Sequence, residues 1–181
     1  MRVDHVIYGT SDLDAAGARF EAVGLPVEPG GAHEGVGTHN RIVPLGADYV
    51  ELLAILDTEM AAASPLGRLI GDRIARGDGW MGWGVGVADA AAVAERLGAS
   101  QLEVRRRGTG HLVGLPEALA DGFLPFFIQR EPKPGPGGID RVEVAGDPRR
   151  LAAWLGGAEL PVDVAGGPPG LRAVTIRGRR L

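Results

Sequence analysis

Glu51 stands in one of the most apolar stretches of the chain, Tyr49 to Leu56. A carboxylate buried there without a partner is costly, so the position calls for a metal, a cation or hydrogen bonds. Either Glu51 does chemistry, or it is a structural anchor paired with Arg41 or His5. His5 poses the same choice, as a functional imidazole or a core histidine held by a backbone carbonyl. His33, Thr38 and Asn40 lie in and just after a glycine-rich stretch, Pro29 to Thr38. Glycines let a backbone approach a ligand closely, and loops on a rigid scaffold often carry binding groups; the plain alternative is a hairpin turn. Asn40 can donate and accept, and Thr38 adds a hydroxyl. His33 is the strongest proton-transfer candidate, because an imidazole titrates near neutrality. His39, two residues short of Arg41, is expected to point the other way, and His111 reads as a surface strand residue.

Other chemistries are excluded by what the chain lacks. It has no cysteine, so there are no disulfides, zinc-thiolate sites or thiol nucleophiles. Nothing resembles a phosphate-binding glycine loop or a Gly-x-Ser-x-Gly nucleophile elbow. The formal net charge is -4, and Arg105-Arg106-Arg107 is the only dense basic spot, read as a solvated strand edge or loop. Nucleic acid is therefore not an expected partner. No apolar run approaches the roughly 20 residues of a membrane span. The chain enters a strand pattern at once, with no signal-peptide core ahead of it, and a cytoplasmic location is expected. Abundant Gly, Ala and Arg suggest a GC-rich bacterial genome.

The elements that must position these residues recur. Val3 to Gly9 alternates as a strand, with Val3, His5 and Ile7 on one face. Thr10-Ser11-Asp12 suits a helix N-cap, Leu13 to Val23 has helical spacing, and Gly24 is the expected C-cap. Leu25 to Glu28, Asn40 to Leu45 and Tyr49 to Leu56 are three strands. After a linking helix, 64–76, the order restarts about 75 residues on. Trp80 to Val87 is a strand, Asp89 caps a helix over Ala90 to Leu97, and Leu102 to Arg107, His111 to Leu115 and Phe123 to Arg130 are strands. A loop from Pro116 to Gly122 separates the last two. Beyond a Pro/Gly linker at 132–138, the segment 139–181 reads as a truncated strand–helix–strand–strand unit, expected to pair with a sheet edge or a neighbouring chain. The class is α+β.

The doubled strand–helix–three-strand order, with His5 on the first strand and Glu51 on the fourth, resembles the vicinal oxygen chelate superfamily and, more closely, its glyoxalase-like branch. The resemblance rests on Asp4-His5-Val6-Ile7, Gly30-Gly31-Ala32-His33, Gly37-Thr38-His39-Asn40-Arg41, Tyr49-Val50-Glu51-Leu52 and Leu124-Pro125-Phe126-Phe127-Ile128. It spans about residues 3 to 131, so residues 1–131 are expected to form the glyoxalase-like domain (modules 1–57 and 79–131) and residues 139–181 an extension.

The resemblance implies two βαβββ modules that curl into a cup. It implies a divalent metal such as zinc, manganese, nickel or iron, held by one ligand from the first and one from the fourth strand of each module. His5 and Glu51 occupy the first-module positions. Aligning Asp12 with Asp89 sets Gly82 opposite His5 and Pro125 or Phe126 opposite Glu51, so the second module brings no side-chain ligand. A tightly bound metal is therefore not expected unless His33, His39 or a second chain completes the set. Trp80, Trp83, Phe126 and Phe127 are either ordinary core or the wall of the second half-cup; as a wall they favour an apolar ligand. The expected site comprises His33 and Glu51 as catalytic groups, Thr38, Asn40, Arg41, Trp83 and Phe126 as substrate contacts, and His5 with Glu51 as an incomplete metal set. The implied function is binding of a small oxygen-containing or partly apolar molecule, with lyase or isomerase-type proton transfer. The alternatives are resistance-type sequestration without chemistry, or an interaction protein that dimerises through its C-terminal unit. A homodimer is expected.

Overall fold

The computed structural model describes residues 1–99, 101–105, 109–131 and 133–181. Module one runs β1 (Arg2–Gly9), α1 (Leu13–Glu21), β2 (Glu28–His33), β3 (Thr38–Pro44) and β4 (Tyr49–Ile55). Two linking helices follow, α2 (Thr58–Ala63) and α3 (Pro65–Ile74). Module two runs β5 (Gly79–Gly86), α4 (Ala90–Leu97), β6 (Gln101–Arg105), β7 (Thr109–Val113), α5 (Leu115–Asp121) and β8 (Phe126–Gln129). The C-terminal unit is β9 (Ile139–Ala145), α6 (Pro148–Leu155), β10 (Val162–Ala165), β11 (Gly170–Ile176) and the two-residue β12 (Arg179–Arg180). Arg106 and Arg107 of the basic triplet, and the corresponding end of the expected strand, fall outside the described residues. Among the described residues, no helix is long and apolar enough to cross a membrane.

The helix starts follow from capping. Asp12 accepts backbone hydrogen bonds from Asp14 and Ala15, Asp89 from Ala92 and Asp147 from Arg149, which satisfies N–H groups the first turn cannot pair. Pro148 sits in the first turn of α6, where its missing N–H costs nothing.

Within module one, β1 lies parallel to β4; within module two, β5 lies parallel to β8. The two first strands then pair antiparallel, giving one eight-stranded sheet in the order β2-β3-β4-β1-β5-β8-β7-β6. The sheet curls into a cup. On its inner face Ile7, Leu53, Met81 and Phe126 pack with Ile70 of α3 and Ala118 and Leu119 of α5. On its outer face Val6, Val50, Leu52, Trp83, Val85 and Phe127 form the larger core with α1, α4 and the C-terminal unit.

Four expectations change. First, β1 carries a register shift between Val3 and His5, so Val3 joins the outer core while His5 and Ile7 line the cup. A bulge adds one residue, and one residue reverses the face. Second, β2 is not Leu25 to Glu28 but the glycine-rich stretch itself, with a bulge between Pro29 and Ala32. A Cβ on Gly30 would overlap the backbone carbonyl of Asn40, so glycine serves close strand approach here rather than a turn. Third, the expected loop at 116–122 is α5, opened by Pro116 and burying Leu115, Ala118 and Leu119; proline there marks a helix start, not a breaker. Fourth, the C-terminal strands form their own sheet, in the order β10-β9-β11-β12, instead of extending the first.

That second sheet lies against the outer core. The Trp154 indole N–H donates to the Pro125 carbonyl at 2.7 Å, and the Trp80 indole N–H donates to the Leu181 carbonyl at 3.2 Å. The buried Asp48 carboxylate accepts the Gly138 and Ile139 N–H groups at 2.7 and 3.0 Å, holding the start of β9.

Candidate active site in the cup

Strand alternation builds the site. Thr38, Asn40 and Ile42 of β3 face the cup, as do Tyr49, Glu51 and Leu53 of β4 and Phe126 and Ile128 of β8. The cavity has a volume of about 640 Å³. One end is polar; the rest is walled mainly by aliphatic side chains and Phe126, with Leu66, Leu102 and Val36 among them, and Glu34 and Glu103 also line it.

Glu51 is the centre of the polar end. Its Oε1 accepts a short hydrogen bond from the Asn40 side-chain nitrogen and lies 3.5 Å from His33 Nε2; its Oε2 lies 3.9 Å from His5 Nε2. The Asn40 orientation is fixed from outside. The bulge in β2 leaves the Gly31 N–H to donate to Asn40 Oδ1 at 3.0 Å, so the amide must present its NH₂ to Glu51. His33 Nδ1 lies 2.7 Å from the hydroxyl of fully buried Thr38. A hydroxyl both donates and accepts, so this bond survives whichever tautomer His33 adopts.

His5 is held on its other side. Its Nδ1 lies 2.7 Å from the carboxylate of Asp4, which also pairs with Arg130 at 2.9 Å. Burial by itself raises the Asp4 pKa, but the hydrogen bond from His5, the charges of His5 and Arg130 and the Arg130 hydrogen bond together hold it below the ordinary carboxylate value. An ionised Asp4 only accepts, so the Nδ1–H of His5 donates to it, and in that tautomer Nε2 carries the lone pair facing the cup. Tyr49 stacks on the His5 ring with centroids 4.4 Å apart, and Phe126 meets it edge-on at 5.1 Å.

His5, His33, Thr38, Asn40, Glu51 and Phe126 are thus brought together. Arg41 and Trp83 are not. Arg41 alternates to the outer face and pairs with Asp14 of α1. Trp83 is fully buried in the outer core, its indole N–H donating to the Phe123 carbonyl at 3.1 Å. Trp80 and Phe127 also belong outside the cup, and His39 and His111 do not line it. Sequence reading missed Tyr49, Asp4 and Arg130, and the wall residues Leu112, Leu115 and Ile128. Asp4 carried a legible signal, a charge set between Val3 and His5 in an otherwise apolar strand; Leu115 was hidden by the misread helix.

A four-ligand metal site does not fit these residues. His5 pairs across the sheet with Gly84, and on β8 the positions facing the cup are Phe126 and Ile128, which offer no side-chain ligand; Glu103 of β6 is the one carboxylate among the described lining residues of the second module. Gly82, the position aligned with His5, pairs with Ile7, so the pairs His5–Gly84 and Ile7–Gly82 are related by the same module alignment. A Cβ on Gly84 would come 2.7 Å from the Phe126 ring, so apolar packing fills that side. Among the described residues no group of three or more His, Cys, Asp or Glu is placed to hold a metal ion.

The family follows from comparison with known proteins. A model of the glyoxalase-like domain matches residues 3–159, and the chain belongs to that family, with the cup of the vicinal oxygen chelate fold. The match runs past the second module into β9 and α6. No curated protein matches the chain. Among solved structures, a hypothetical protein from Staphylococcus aureus is similar over 99% of this chain and 96% of its own, with 16% identity and a TM-score of 0.70. Methylmalonyl-CoA epimerase from Mycobacterium tuberculosis is similar over 75% of this chain and 89% of its own (20% identity, TM-score 0.51). Methylmalonyl-CoA epimerase from Streptomyces coelicolor, in complex with 2-nitronate-propionyl-CoA, is similar over 75% and 99% (18% identity, TM-score 0.54).

Proposed function

We propose that the cup binds a small, largely apolar molecule bearing a carbonyl or hydroxyl oxygen and moves a proton on it, in an isomerase- or lyase-type reaction. The observation that carries this is the placement of Glu51, a carboxylate flanked by two imidazoles at the polar end of a largely apolar cavity whose lining also includes Glu34 and Glu103. The epimerase neighbours support proton transfer as a class of chemistry such a cup can host; their thioester substrates are not carried over. No Arg or Lys is among the described residues lining the cavity, which favours a neutral oxygen function over a carboxylate or phosphate.

In this reading Glu51 abstracts a proton from carbon next to the carbonyl, and His33 exchanges a proton with the oxygen through Nε2. Asn40 holds the Glu51 carboxylate in place, and Thr38 steadies the His33 ring through the proton exchange. His5, with its lone pair on Nε2, accepts a hydrogen bond from a substrate hydroxyl. The apolar walls strengthen these interactions by excluding water.

The test is solvent exchange. Purified protein in D₂O is incubated with a panel of small hydroxyketones and aldehydes, and deuterium at the carbon next to the carbonyl is followed by proton NMR. The expected result is exchange that falls by about 10² to 10⁴-fold in Glu51→Gln and by a similar factor in His33→Ala. Unchanged exchange in both variants sinks the assignment. The apolar wall of Ile7, Leu53, Leu112, Leu115, Phe126 and Ile128 favours one second reading, sequestration without chemistry. Tight binding without exchange, equal in wild type and Glu51→Gln, would establish it.

A further inference from the structure

A second cleft, of about 280 Å³, lies where the cup meets the C-terminal unit. Its walls come from the end of α3, the start of β5, the end of α5 and the start of β11. Three guanidinium groups line it: Arg73, Arg76 and Arg172. Basic residues at the end of α3 are expected, because they complement the helix dipole. That accounts for Arg73 and Arg76 being basic, but not for Arg172 arriving from the other unit to join them.

The cations are poorly satisfied by the protein. Arg73 is half-buried and reaches the Met81 carbonyl only at 3.5 Å. Burial and the neighbouring charge of Arg76 both lower its pKa, against the opposing effect of Asp121. Arg172 bonds the Pro168 carbonyl. Arg76 makes no side-chain hydrogen bond or ion pair among the described residues.

Two carboxylates also line the cleft, and both are engaged elsewhere. Asp78 accepts from the Thr10 hydroxyl at 2.7 Å and the Ser11 N–H at 3.0 Å, and lies 3.9 Å from Arg19. Asp121 accepts from the Phe123 N–H at 2.9 Å and lies 3.2 Å from Arg150. Each carboxylate thus also has a cation outside the cleft, and the three arginines outnumber the two carboxylates of its lining, in a chain of net charge -4.

We propose that this cleft binds a phosphoryl group, either as free phosphate or as part of a small phosphorylated molecule. A planar guanidinium offers paired N–H donors that match phosphate oxygens, and three of them suit a dianion better than a single carboxylate. The cavity exceeds one phosphate and approaches the lower end of small-ligand pockets. Trp80 forms part of the wall, so occupancy has an optical readout.

The experiment titrates inorganic phosphate, and separately glycerol 3-phosphate, into the full chain at constant ionic strength, by calorimetry and tryptophan fluorescence with sodium chloride as control. Saturable binding is expected, weakened about tenfold or more in Arg76→Gln and in Arg172→Gln. Both residues are exposed, so their variants are expected to fold, which circular dichroism checks. Saturation by inorganic phosphate supports a free-phosphate site; saturation by the monoester alone supports a phosphorylated molecule. If neither ligand saturates beyond the chloride control, or if both variants bind as the wild type does, the cleft is not a phosphoryl site. This outcome is independent of solvent exchange in the cup.

Discussion

At the scale of single residues, the polar end of the cup is a set of nested restraints. Arg130 holds Asp4, Asp4 holds His5, Gly31 holds Asn40, and Asn40 holds Glu51. Replacing Asp4 with Asn removes the buried charge that both Arg130 and His5 answer. The expected cost is about 1–3 kcal/mol of stability, because the partly buried Arg130 loses its carboxylate partner and His5 loses a charged acceptor. The pH dependence has a definite sign. The folded-state pKa of Asp4 is depressed, so its contribution is fully present above the ordinary value of 3.8 and is lost only as pH falls through the lower folded value. Urea denaturation of wild type and Asp4→Asn should therefore differ at about pH 5 to 7 and converge only in stronger acid; convergence near pH 5 contradicts the ion pair. His5, His33 and Glu51 were legible in the sequence because a titratable group in an apolar or glycine-rich context has few bland uses. Arg41 and Trp83 were misplaced because one residue of register decides which face a strand residue takes, and register is set by pairing partners far along the chain.

At the scale of elements, the glycine-rich strand β2 is the part least visible beforehand. Glycine and proline weigh against a strand, and only the closeness of β3 shows why they are there. The bulge in β2 has a chemical result, since it frees the Gly31 N–H to orient Asn40. Gly30→Ala is expected to push β2 off the Asn40 backbone, costing about 1–3 kcal/mol by overpacking. It should also lower proton exchange in the cup more than its stability loss implies, because Glu51 loses its fixed neighbour. A variant that is destabilised but exchanges at the wild-type rate per folded molecule counts against the link. The repeated strand–helix–three-strand order was readable from N-caps at Asp12 and Asp89 and from alternation in the strands. The helix α5 was not, because a seven-residue segment opened by Leu-Pro carries too little periodicity to be told from a loop.

At the scale of the molecule, the C-terminal unit shares one continuous apolar core with the cup's outer face. Trp154 bridges them, packing near Phe127 with ring centroids 6.2 Å apart and bonding the Pro125 carbonyl. Trp154→Ala is expected to cost about 3 kcal/mol and to lower the denaturation midpoint of the whole chain in a single transition. Two separate transitions in the wild type, one for each unit, would show that the shared core does not couple them. A separate sheet was not legible in the sequence because the pattern of β9 to β11 states that the strands pair, and not with what.

The order of the eight-stranded sheet has a kinetic consequence. β1, which carries His5, is hydrogen-bonded on both sides and covered on both faces, whereas β2, which carries His33, is an edge strand with an exposed backbone. Amide protons of β1 should therefore exchange with solvent only through global unfolding, while those of β2 exchange through local fraying that leaves β4 and Glu51 in place. One wall of the cup can then open and reclose around a fixed carboxylate, and the entry of molecules would be timed by the loosest strand of the sheet.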